Sequence, residues 1–465
     1  MSAADVAAVA SRLVAGARAG SGAISDADKL ALVTAMEEAK SAFAAAQAHL
    51  TAAFEASQLA ERAAVRVPAR DRDRGIGHEV GLARRESPHR GGQHLGLARA
   101  LTAELPCTLR ALERGMVSEW QATIVARQSA CLSAEDRLTL DAELAADSGR
   151  CEGWGDAQLA REAKKIAARL DPAALVRRAR KAAADRHVSI RPAPDTMTWV
   201  SALLPVAKGV AVFAALKAAA DSARAAGDAR GKGQVMADTL VERVTGIAAE
   251  EPVPVTVDLV MTDRALLKGE TEPAFLPGYG TVPAAWARDL VDAAAAWTTD
   301  PSTNSDRAAE AAETLDPATR RQARRKVRAF LRRLFTAPGT GELIAMDSRA
   351  RCFPRNLGAF IDLRDQTCRN AWCDAPIAHR DHPWAVAEGG PTTAENGQGL
   401  CEACNYAKQA PGWRVRTIPG EPRHTVETIT PTGQRYRSTA PPPPGTPFGA
   451  HLTSGFTDDN MPATA

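Results

Sequence analysis

Between residues 368 and 408 the chain gathers side chains that apolar packing does not need. Cys368 and Cys373 form a C-x4-C step, and Cys401 and Cys404 form C-x2-C. Between the pairs lie Asp381-His382 and Asn396, and Asn405 directly follows the last thiol. Four thiolates at these spacings suit tetrahedral zinc. In a reducing compartment the pairing points to metal before disulfides. The segment between the pairs has no sizeable apolar core, and a structural metal replaces what a small core cannot supply. The other members suit different chemistry. An Asp and an Asn oxygen fit a hard divalent cation better than zinc thiolates do. Imidazole is suited to proton abstraction near neutrality. Asp381 and His382 are neighbours, so on a strand their side chains diverge and serve separate roles. Taken singly, an Asp-His pair reads as surface and an Asn before Gly as a turn. Together they read as a site.

The segment resembles an HNH nuclease domain, the ββα-metal finger, in its zinc-stabilised form. The matching residues are Asp381-His382, Asn396 and Asn405, with GGPT at 389–392, Leu400-Cys401, Cys404-Asn405 and Lys408. The resemblance implies that His382 is the general base for water attacking a phosphodiester. It implies that Asp381 and Asn405 bind one catalytic divalent cation, Mg2+ or Mn2+, and that Asn396 fixes the loop carrying His382. Cys368, Cys373, Cys401 and Cys404 would hold structural Zn2+. Two positions depart from the usual pattern. Pro383 follows the histidine directly, where relatives carry proline three residues on, and it is expected to alter the strand edge. The last catalytic position is Asn405 rather than histidine, and both types occur in the superfamily. His379 shares a strand face with Asp381 and is expected to pack beside the site.

The elements that position these residues are mostly helical. Residues 1–70 have long apolar periodicity and few breakers, compatible with a hairpin of two helices. Gly, Arg and His mark a connection near 70–92. Helices then return, with Ser118 and Ser133 as N-caps and Asp171-Pro172 as a helix start. A strand is expected before APD at 193–195, and the helical pattern is expected to resume from Thr196. At EPVPVTVDLV, residues 251–260, the period changes from 3.6 to 2 and a strand is expected. PGYGTVP reads as a glycine turn entering a helix. Arginines at 320, 321, 324, 325, 328, 332 and 333, with Lys326, form the strongest positive run; it reads either as a solvated helix face or as a phosphate-contact surface. RHTVETITPTGQRYRST reads as a hairpin covering the finger's open side. The Pro/Gly-rich end is expected to be disordered.

The stretches SPHRGGQHLGLARALTAELPCTLRALERGMVSEWQA, CLSAEDR, LDPAALVRRARKAAADRHVSIRPAPD and PGYGTVPAAWAR resemble the domain of unknown function that precedes HNH in many actinobacterial proteins, the 13E12-repeat family among them. The expected fold is a mainly α-helical N-terminal region with a mixed α/β middle, followed by a small zinc-stabilised ββα-metal finger. The expected divisions are 1–75 N-terminal helices, 76–360 the DUF222-like domain, 361–411 the nuclease domain, 412–440 a hairpin and 441–465 a tail. The resemblance implies a metal-dependent endonuclease acting on DNA, expected to be double-stranded. The alternative is a zinc-stabilised DNA-binding protein with weak or lost nuclease activity. Arg177, Arg178, Arg180 and Lys181 read either as a DNA contact or as a solvated face. The net charge of +3 decides nothing about nucleic acid. The first twenty residues carry arginines and no continuous apolar run, so no secretory signal is read and a cytoplasmic location is expected. The most apolar stretch is broken by Pro205 and Lys208 and reads as buried helix, so no membrane partner is expected. Oligomeric state is not readable.

Overall fold

The computed structural model describes residues 2–247 apart from 21, 23, 148–149 and 152, then 259–299 and 352–442. The arginine run and the tail from 443 lie outside the described residues, as does most of the strand expected at 251–260. The chain divides into two compact units, Met1–Lys181 and Ala182–Ala465.

The first unit is helical: α1 (Ala3–Gly20), α2 (Asp26–Ala64), α3 (Ile76–Arg84), α4 (Pro88–Ala103), α5 (Pro106–Glu113), α6 (Glu119–Ser129), α7 (Ala134–Ala145), α8 (Asp156–Leu170) and the start of α9 (Pro172–Ala184). Ser25 caps α2, which then runs 39 residues because its interior holds no Gly or Pro. Ser118 and Gln121 make a reciprocal capping box at α6, and Ser133 Oγ accepts from Asp136 N–H at 3.1 Å at α7. The core joins Ala45 of α2 and Leu101 of α4 to Leu112 of α5, Leu140 and Leu144 of α7, and Leu159 of α8. Leu105 at the head of α5 offers no side-chain cap. Asp141, fully buried on α7, caps it from a distance by accepting from Cys107 N–H at 2.6 Å and Thr108 N–H at 2.9 Å. Cys107 is buried and Cys131 and Cys151 are half-buried, and none of them joins a metal-ligand group among the described residues. Arg177, Arg178, Arg180 and Lys181 are exposed on α9, and Arg178 donates to the Arg127 carbonyl at 2.8 Å.

Helices α3 and α4 approach most closely at their glycines. A Cβ on Gly91 would lie 2.1 Å from the Gly77 carbonyl oxygen and 2.4 Å from the Gly81 nitrogen. Both obstacles are backbone, so no rotamer relieves them. Gly91→Ala is expected to destabilise the first unit by about 3 kcal/mol or more, as severe overpacking does. Thermal unfolding followed by circular dichroism checks this, and a melting point within a degree or so of wild type would contradict it.

The second unit opens with a hairpin, β1 (His187–Ala193) and β2 (Met197–Leu203), in register His187↔Leu203 to Ala193↔Met197. Here the expected resumption of helix at Thr196 is wrong. MTWVSAL is rich in residues that favour strands, and the turn before it is tight. Met197 N–H bonds the Pro194 carbonyl at 3.2 Å, with Asp195 and Thr196 at φ near +60°. The helical pattern starts only after Pro205. There follow α10 (Val206–Ala225), α11 (Lys232–Thr245) and α12 (Asp263–Leu267). The PGYGTVP turn makes the short hairpin β3 (Ala274–Leu276) and β4 (Gly280–Val282) before α13 (Ala284–Thr299). Val260 forms a single bridge to Phe275.

Residues 352–442 contain α14 (Arg355–Asp365), the antiparallel pair β5 (His379–Asp381) and β6 (Gln398–Leu400), and α15 (Glu402–Lys408). A three-stranded sheet follows: β7 (Arg414–Ile418), β8 (Thr425–Ile429) and β9 (Arg435–Thr439). The expected PTG hairpin is β8–β9, closing with Gly433 N–H on the Thr430 carbonyl at 2.9 Å. Strand β7 extends it. No helix among the described residues is long and apolar enough to cross a membrane.

Candidate metal centre and adjoining polar site

The four cysteines converge although two precede β5 and two follow β6. Cys368 and Cys373 sit on a knuckle closed by Cys368 N–H to the Ala375 carbonyl at 2.9 Å and Cys373 N–H to the Asn370 carbonyl at 3.1 Å. Cys401 is the N-cap of α15, its sulfur accepting from Cys404 N–H at 3.4 Å. All four Sγ atoms lie within 4.8 Å of one another, and Cys373 and Cys401 are 3.8 Å apart. Zinc–sulfur bonds of about 2.3 Å in a tetrahedron require sulfurs about 3.8 Å apart. The quartet therefore fits a zinc ion. Three of the thiols are buried and all four are crowded together, so a shared cation would stabilise them as thiolates.

A buried ion pair frames the strands beside the quartet. Arg364 and Asp365, at the end of α14, bond through Arg364 Nε to Asp365 Oδ1 at 2.7 Å. Asp365 Oδ2 accepts from Gly399 N–H of β6 at 2.7 Å, and Arg364 donates at 2.6 Å to the carbonyls of Ala394 and Gly397. Such a pair fixes geometry when every lone pair is engaged. From the other side, Thr417 Oγ1 and His424 Nε2 both reach the Glu395 carbonyl at 2.9 Å. His424 is buried and held down to about 4, first by desolvation and then by the nearby Arg364 charge. The Asn396 segment is thus gripped from two directions.

Asn396 grips in turn. Its Oδ1 accepts from Trp384 N–H at 2.9 Å, and its Nδ2 donates to the carbonyls of Trp384 at 3.0 Å and Pro391 at 2.8 Å. Asp381 ends β5 and His382 follows it, and their side chains take different partners. The His382 ring stacks on Phe353 at 4.2 Å between centroids, and its Nε2 lies 3.0 Å from Thr392 Oγ1. Desolvation lowers the His382 pKa; Asp381 opposes this and Lys408 adds to it. Asp381 Oδ2 accepts from Gln398 Nε2 at 2.9 Å and Lys408 Nζ at 2.5 Å. Lys408 also donates to the His382 carbonyl.

Asn405 turns to a different partner. Its Nδ2 lies 2.9 Å from His379 Nδ1, while its Oδ1 is buried without a hydrogen-bond partner among the described residues. No hydrogen bond joins Asp381 to Asn405. The orphaned buried oxygen is one that a hard cation could satisfy. Gln398, Thr392 and Phe353 are contacts that sequence spacing does not announce. Only Thr392 carried a signal, as part of GGPT, and His379 was foreshadowed by its spacing of two from Asp381.

The chain is thus one of two units, a helical first unit and a second that carries a ββα segment with four convergent thiols able to hold a metal ion. Residues 30–334 match the family model described as Domain of unknown function (DUF222), and the chain belongs to that family. No curated protein and no solved structure matches it. The thiol quartet and the polar site lie beyond the matched residues.

Proposed function

We propose that residues 361–411 are an HNH-type finger and that the protein is a metal-dependent endonuclease hydrolysing DNA phosphodiester bonds. The observation that carries this reading is the arrangement on one ββα frame: a stacked, partly desolvated His382, the carboxylate of Asp381, and the unpartnered Oδ1 of Asn405. Thr392 engages His382 Nε2, which leaves Nδ1 to take the proton of the attacking water. The water oxygen bonds to phosphorus, the bond to the 3′-oxygen breaks, and that oxygen leaves protonated by solvent. Asp381 and Asn405 would hold Mg2+ or Mn2+, which when bound supplies positive charge at the phosphate and the leaving oxygen. Asn396 keeps the His382 loop in place, and the cysteine quartet holds the frame through structural Zn2+.

Lys408 supports a second reading. Its ammonium pairs with Asp381, as a zinc-stabilised DNA-binding protein with weak or lost activity would tolerate. Supercoiled plasmid incubated with the purified protein distinguishes the two. Conversion to open-circular or linear DNA with Mg2+ or Mn2+, and none without added cation, is the expected result. Plasmid that is retarded in a gel yet stays supercoiled would replace the nuclease reading with the binding one.

A further inference from the structure

Trp384 stands two residues beyond His382, and its side chain is open to solvent, the residue being 52% exposed. A single exposed apolar residue is ordinary. This one is unusual in how its backbone is held. One side chain, Asn396, clamps the residue at both ends, accepting from its N–H at 2.9 Å and donating to its carbonyl at 3.0 Å. Gly390 presses on the same carbonyl, where an added Cβ would lie 2.0 Å from the oxygen. Pro383 immediately before it is buried and fixes its own φ, so the chain leaves β5 in one direction. The result is a large, flat, largely apolar side chain carried outward on a fixed stem. Folding gains nothing from the half of its surface that stays open.

We propose that Trp384 is a substrate-contact residue whose indole stacks on a nucleobase next to the scissile phosphodiester. The inference rests on the nuclease reading above and adds to it the kind of nucleic acid preferred. Base–aromatic stacking is indifferent to sequence, because every base presents a π-face. It needs a base face that is accessible. Single-stranded DNA, or duplex distorted at a nick, flap or mismatch, offers one; regular stacked duplex does not. The site is therefore expected to favour such DNA without strong sequence preference. This also gives Pro383 a purpose: it sets the stem from which the indole projects.

The test uses full-length, zinc-loaded protein and fluorescently labelled oligonucleotides, single-stranded and duplex, with no divalent cation added. Trp384→Ala is expected to weaken single-strand binding by about 5- to 100-fold, the range of one lost stacking contact. Trp384→Phe should keep most of the affinity, and binding to regular duplex should change less. With Mg2+ or Mn2+, Trp384→Ala should raise KM for nicked or single-stranded substrate more than it lowers kcat. Unchanged binding and KM in Trp384→Ala, while wild type cuts DNA, would overturn this proposal alone. Wild-type protein that neither binds nor cuts DNA would overturn the nuclease reading and this one with it. Lost zinc or a lowered melting point in Trp384→Ala would make the indole structural and likewise overturn the proposal.

Discussion

Stripping zinc from the protein with a strong chelator is expected to unfold residues around 352–442 and leave the first unit folded. The contrast follows from what each part buries. The first unit packs leucines, isoleucine, valines and alanines from α2 and α4 to α8 into one apolar core. Near the site one cluster consists of Cys368, Cys373, Cys404 and Leu400, with Ala375 and Cys401 against it. Its neighbour holds only Leu357, Ile361 and Ala394, flanked by Phe353 and Phe360. Clusters this small do not offset the entropy of ordering the knuckle, the 382–397 loop and α15. A four-thiolate zinc site contributes roughly 10–16 kcal/mol of apparent binding free energy near neutral pH, which in such domains is folding free energy. Metal analysis should find one zinc per chain. Limited proteolysis after chelation should cut first between the cysteine pairs, and Cys404→Ser should show the same pattern without chelator. A protein purified without zinc, or one whose cleavage pattern ignores the chelator, would contradict the structural-metal assignment.

What could be read from sequence tracks how local the determining physics is. The thiol quartet was legible because few side chains bind zinc and their spacings are restricted. The caps at Ser118 and Ser133 were legible because capping is decided within one helical turn. Strand β2 is obscured because its seven residues lead almost directly into a long alanine-rich helix, whose signal runs over them. The ties that set the site are non-local. The Asp365 to Gly399 bond spans 34 residues, and the Lys408 to Asp381 bond spans 27. Nothing in a single sequence marks such partners. Asn396 is intermediate: an Asn in a turn-rich loop suggested backbone bonding, but its choice of Trp384 as partner depended on the folded loop.

His382→Ala is expected to abolish detectable plasmid cutting, with a fall in rate of about 10²- to 10⁴-fold, the usual contribution of a positioned general base. The loss should not come from unfolding. His382 is held by one ring contact and one side-chain hydrogen bond, whereas the frame rests on the thiol quartet and the Arg364–Asp365 pair. Zinc content and melting point should therefore stay near wild type. The pH profile gives an independent readout. Desolvation, the largest influence, favours neutral imidazole, so the working base persists below the ordinary imidazole value of about 6.5. Cutting should rise with pH through a midpoint below that value and level off above it, and a divalent cation on Asp381 pushes in the same direction. The linkage has the matching sign. Because the folded pKa is depressed, the stability tied to His382 is fully present above the unfolded pKa and is lost as pH falls through the folded one. Lys408→Met should move the midpoint upward, since it removes a cation that opposes protonation of the ring. It should also free Asp381 from its internal counter-charge and tighten binding of the divalent cation. Equal cutting by wild type and His382→Ala would remove His382 from the mechanism. A midpoint that ignores Lys408→Met would mean that the titrating group is elsewhere.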